Sequence, residues 1–163
     1  TDSDLTMKDR AIGFKSCFCP GHVEWMRNNP SANLHVWRSS LENGVALLNE
    51  NNVKDAEHYL RSALEASHLY LHSSNNHSCD NIELFTDTLS QLVTCLNQAH
   101  RVRDGNEIMS YGLHQLDQMI ANGADRRKVL DSCQRLMQIY DSECDGASRL
   151  YADGLVPPGA VIH

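Results

Sequence analysis

From Leu34 onward, apolar side chains recur every three or four residues, the interval that returns a side chain to the same face of an α-helix. Leu34, Trp37, Leu41, Val45 and Leu48 predict a first long helix over 32–50, with Ser31 as its N-cap. Asn51-Asn52 interrupts it, and Val53, Ala56, Leu60, Ala63 and Leu64 predict a second helix over 53–72. The polar run 73–78 predicts a loop. Asp80 and Glu83 then have the spacing of a capping box ahead of Ile82, Phe85, Leu89, Leu92, Leu96 and Ala99. Asp104 and Glu107 repeat that arrangement before Met109, Leu113, Leu116 and Ile120, and Asn122-Gly123 supplies a left-handed stop. A fifth helix begins after Asp125, points Val129, Cys133, Leu136 and Tyr140 inward, and closes at Asp145-Gly146. No stretch alternates with period two, so the predicted fold class is all-α.

The chain divides into three parts on this pattern. Residues 1–30 form a less regular leader that packs on or flanks the domain. In it Leu5, Ala11, Ile12 and Phe14 line a short helix, Pro20-Gly21 breaks it, and His22 to Arg27 add one turn before Asn28-Asn29-Pro30. Residues 31–152 form the helical domain, and 153–163, with Val156-Pro157-Pro158-Gly159, form an extended tail. Helix starts near 32, 53, 81 and 104 repeat after about fifty residues, which favours stacked antiparallel helical hairpins with the last helix as a cap. A five-helix bundle is the alternative. A glycine inside a helix costs up to about 1 kcal/mol relative to alanine, so Gly44 predicts a close contact between helices.

The stretch Gly44-x2-Leu47 followed by Ala56-x3-Leu60-x2-Ala63 resembles a tetratricopeptide repeat, over residues 37–67. In that family a small residue midway along the first helix accepts the second, and two small residues on the second bracket a bulky apolar one. Ala56, Leu60 and Ala63 match the latter three. The spacing near fifty departs from the family's repeat of about thirty-four, and Ala99 and Gly112 fall in a different register. The resemblance implies a protein-interaction module or adaptor whose first helix lines a ligand groove. Carried onto this chain, the partner-binding strip is Arg38, Leu41, Val45, Leu48 and Asn49. A soluble chain does not usually leave such a strip in water. Its expected cover is a partner's helix or peptide, a second copy of this chain as a homodimer, or the leader with Ile12, Phe14 and Phe18.

Charge narrows the partners. The net charge of −7 repels phosphate backbones, so nucleic acid is not expected. The densest cationic group, Arg101, Arg103, Arg126, Arg127 and Lys128, reads as solvated helix ends. No apolar run approaches the eighteen or so residues of a membrane span. The first ten residues are polar, unlike a secretory signal, and six irregularly spaced cysteines do not form a disulfide framework; a cytoplasmic protein is expected.

Chemistry is sparse. There is no nucleophile elbow, phosphate-cradling glycine loop or His-Glu-x-x-His pair, so no catalytic residue is assigned and an enzyme is not expected. The alternative function is a zinc-binding regulatory or enzymatic protein. Cys17, Cys19 and His22 place three ligands within six residues, with His35 or Cys144 as the fourth a structural zinc site needs. His68 and His72 are one helical turn apart and can face the same ion.

Overall fold

The computed structural model describes residues 16–74 and 76–152, with side chains given for 16–73 and 76–142. Within them lie six helices and no strand: α1 Pro20–Asn28, α2 Pro30–Asn49, α3 Val53–Ser74, α4 Cys79–Gln98, α5 Val102–Ala121 and α6 Arg126–Ala152. The all-α class is thus established, and no helix among the described residues is long and apolar enough to cross a membrane.

Three of the turns share one solution. Asn51 (φ 62°), His100 (φ 59°) and Gly123 (φ 93°) each take the left-handed conformation just past a helix end. Each lets the next residue donate backward: Asn52 N–H to Leu47 O (2.9 Å), Arg101 N–H to Leu96 O (2.8 Å) and Ala124 N–H to Met119 O (2.9 Å). This is the Schellman arrangement, which satisfies carbonyls that the helix leaves without partners. Asparagine and glycine tolerate the conformation readily. The α3–α4 connection differs, since Ser78 caps α4 by accepting from Asn81 N–H at 3.2 Å.

Several expected starts move. Pro20 opens α1, because its fixed φ suits the first helical position and no N–H is lost there. Pro30 likewise opens α2, so Asn29 rather than Ser31 is the flanking residue. Ser78 takes the capping role expected of Asp80. Arg101 precedes α5 and donates to Asp104, which therefore does not cap. Asp125 does cap α6, accepting from Lys128 N–H at 2.9 Å. That helix continues through Asp145-Gly146 to Ala152. Residues 1–15 and the tail 153–163 lie outside the described residues.

Helices α2 and α3 pack along each other, as do α4 and α5, and α6 packs on α4 and α5. Gly44 makes the first contact possible, because a Cβ there would sit 2.7 Å from Leu60 Cγ and Cδ2. Gly112 does the same against Leu89. One continuous core runs through Trp37, Leu60, Leu64, Phe85, Leu89, Leu92, Leu96, Ile108, Leu116, Val129 and Leu136. Its buried polar groups are bonded, as burial requires. Trp37 Nε1 donates to Thr88 Oγ1 at 2.9 Å, tying α2 to α4. Asn33, fully buried on α2, has the amide orientation that donates to Ala66 O at 3.0 Å and accepts from Tyr70 N–H at 3.1 Å on α3. Glu57 accepts from Arg61 at 2.7 Å and Arg101 at 2.5 Å, joining the α4–α5 turn to α3.

Helix α1 covers a smaller cluster, with Val23 and Met26 against Leu69 and with Phe18 and Val36 at the edge. The chain ahead of it is pinned by Glu65, a fully buried carboxylate on α3. Its oxygens accept from Cys17 N–H at 2.7 Å and from the Ser16 hydroxyl.

Candidate functional site

The strip assigned to α2 by family resemblance is not an open groove. Leu41 and Leu48 are buried in the chain's own core beside Trp37, and Val45 is half-buried against it. Only Arg38 and Asn49 are exposed. The cover comes from the packed helices of the same chain, while α1 lies farther along, over Val36 and Leu69.

Among the described residues the zinc candidates do not converge. Cys17 is half-buried, Cys19 exposed, and the His22 ring sits between Phe18 at 5.0 Å and Trp25 at 5.6 Å between centroids. His35 is exposed on α2, and the Cys144 side chain lies outside those described. His68 Nδ1 is 2.6 Å from the Tyr111 hydroxyl, and His72 stacks on His68 at 4.1 Å while its Nδ1 bonds the His68 carbonyl oxygen. Burial drives the Tyr111 pKa far up, so that hydroxyl stays protonated. No group of three or more His, Cys, Asp or Glu able to hold a metal ion occurs among the described residues.

Beside these histidines is a cavity of about 100 Å³ lined by His72, His77, Gln115, Gln118 and Asn122 among others. Burial lowers the His77 pKa, and the charge of His72 adds to that.

The feature that periodicity did not single out is the outer face of α6. Val129 and Leu136 are fully buried and Ser132 nearly so, which orients the helix. Rotated from that stripe, Leu130 is 50% exposed, Met137 56% and Tyr140 47%, with half-buried Cys133 between them. Tyr140 therefore does not point inward as its spacing predicted. The other large exposed apolar residues among those described, Trp25, Tyr59 and Val102, are dispersed over three different helices.

The charges framing this face are also unusual. Arg126, Arg127 and Lys128 begin α6, and no acidic residue stands in its first turn. They lie at a helix start, the positive end of the macrodipole, rather than at the end that favours cations. Lys128 pairs with Glu83 at 3.1 Å, and Arg135 pairs with Asp87, both on α4. Arg126, Arg127 and Asp141 are exposed and take part in no ion pair among the described residues.

Comparison of the chain with protein-family models, curated proteins and solved structures finds no match.

Proposed function

We propose that this chain is a protein–protein interaction module. In this reading α2–α3 and α4–α5 are stacked antiparallel hairpins of tetratricopeptide type, capped by α6, and a partner's amphipathic helix docks on the outer face of α6. The hairpin reading draws on the close approach of Gly44 to Leu60 and on the complete burial of Ala56, Leu60 and Ala63, four of the five positions of the family pattern. In α4–α5 the glycine of the close contact is on the second helix instead, a departure from that pattern.

The observation that carries the docking surface is Leu130 and Met137, both at least half exposed beside the stripe of Val129, Ser132 and Leu136 that the same helix buries. They are two turns apart in line, with Cys133 and Tyr140 completing a three-four stripe of the kind a second helix packs against. Replacing Leu130 and Met137 together by Glu should leave circular dichroism unchanged, because exposed positions away from the core tolerate substitution within about 0.5 kcal/mol. Cross-linking with mass spectrometry should show polypeptides bound to α6 of the parent and absent from the double variant. Leu41→Glu should instead unfold the chain. A double variant that keeps every bound polypeptide, or a folded Leu41→Glu variant that loses them, would overturn the assignment to α6.

A further inference from the structure

The outer face of α6 is complementary to itself when reversed. Going outward from the midpoint between Cys133 and Gln134, Leu130 and Met137 are equidistant, and so are Arg126 and Asp141. All four lie along one exposed side of the helix, by the three-four spacing that stacks residues over successive turns. The two apolar members occupy the inner pair, and the opposite charges occupy the outer pair. Resting on the reading of this face as a docking surface, we infer that its occupant is a second copy of this chain, its α6 antiparallel to the first.

In that arrangement Leu130 meets Met137 of the second copy, and Arg126 meets Asp141, each contact occurring twice about a two-fold axis. An isologous interface requires this kind of self-matching. A parallel pair would set Arg126 against Arg126 and Asp141 against Asp141. Antiparallel packing also brings Asp141 of one helix to the basic start of the other, where Arg126 and Arg127 stand at the positive end of their own helix dipole. The charges that α6 shares with its own chain, Lys128 with Glu83 and Arg135 with Asp87, point to α4 and leave the seam clear.

Sedimentation equilibrium of the full chain at low salt tests this. The parent should show a concentration-dependent monomer–dimer equilibrium, and Met137→Glu should be monomeric with unchanged circular dichroism. Arg126→Asp and Asp141→Arg should each raise the dimer Kd about tenfold, since two exposed pairs turn from attraction to repulsion. Mixing those two variants should restore association near the parent's, because every outer pair is again opposite in sign. Added salt should shrink the charge effects. A parent that stays monomeric, or charge variants that dimerise like the parent, would overturn the inference. If a monomeric parent still holds another polypeptide that Met137→Glu releases, the docking face stands and only its occupant is wrong. If Met137→Glu changes nothing bound, both fall.

Discussion

Gly44→Ala probes the helix contact at the centre of the α2–α3 pair. A Cβ built there lies 2.7 Å from Leu60 Cγ and Cδ2 and 3.3 Å from the Leu60 backbone nitrogen. Carbon atoms in contact prefer about 3.5–4.0 Å, so the new methyl overlaps its neighbour by about 1 Å. Leu60 is fully buried and has no solvent to swing into. The backbone nitrogen limits what a rotamer change can relieve, and the helices must separate. Two terms oppose each other. Alanine is the better helix former by about 1 kcal/mol. Overpacking a filled core costs about 1–3 kcal/mol. With main chain in the contact the upper half of that range applies, leaving a net loss of about 1–2 kcal/mol. Urea unfolding followed by far-ultraviolet circular dichroism reads it directly. For a urea m-value of about 1–3 kcal/mol per molar, the midpoint should fall by roughly 0.3–2 M with the slope unchanged. Gly21→Ala is the control, because a Cβ there meets nothing within 4 Å. It isolates the backbone term and should hold or raise the midpoint. Combining Gly44→Ala with Leu60→Ala should cost less than the two single losses together, since the added methyl fills part of the space that Leu60 vacates. If Gly44→Ala raises the midpoint as the control does, the helices do not touch there.

Three further outcomes follow from the buried polar groups and thiols. Asn33→Ala removes an amide that bonds Ala66 O and Tyr70 N–H across two helices, and should cost about 1–3 kcal/mol, whereas exposed Asn49→Ala should not move the midpoint. Equal midpoints for the two variants would refute the Asn33 bracket. Because burial holds the folded His77 pKa below its ordinary 6.5, the unfolded chain takes up that proton first. Stability should therefore fall as pH drops from 7 through about 6.5 and level off below the folded value. His77→Gln should flatten that part of the profile, and an unchanged slope would sink the assignment. Burial pushes the Cys95 thiol up to about 11 and the Cys133 thiol up as well, while Cys19 and Cys79 are exposed. At pH 8 a thiol reagent should modify Cys19 and Cys79 in the fast phase and reach Cys95 only in denaturant; a fast Cys95 would mean that α4 opens readily.

The helical class and most helix positions were legible because core burial imposes the three-four spacing on every long helix. Caps were less so. Ser78, Asp80 and Asn81 are all capable of capping, and which oxygen reaches an N–H depends on where the preceding loop enters. Pro20 and Pro30 carry the same ambiguity, since proline ends one helix and begins another with equal ease. Leu41 and Leu48 illustrate a different failure. Trp37, Leu41, Gly44 and Leu48 form a four-three-four stripe, which is a core stripe on its own evidence. The family pattern pointed the same leucines outward, and here the local periodicity was the better guide.

On α6 the difficulty was of another kind. The helix carries two adjacent apolar stripes, Val129, Ser132, Leu136 and Ile139 beside Leu130, Cys133, Met137 and Tyr140. Spacing alone treats them as one broad face, and that is why it points Tyr140 inside along with Cys133, which does pack against the core. The packing of α6 on α4 and α5 alone separates them, because two neighbours on one side cover only one stripe. Charge then distinguishes a surface that is merely uncovered from one shaped to be covered. Exposed leucine and methionine are ordinary when they occur singly. Cations at the start of a helix, against its dipole and, like Arg126 and Arg127, without an ion-pair partner among the described residues, are unfavourable unless something anionic approaches them. The residue at the mirror position on the same face is Asp141, an exposed anion without a partner among the described residues. A chain that places a locally unfavourable cation and an unpaired anion symmetrically about an apolar centre has arranged for each to be neutralised by the other, and one helix cannot fold back on itself to do so. Two copies, reversed, would bring all four groups into contact, as the inferred antiparallel pair requires.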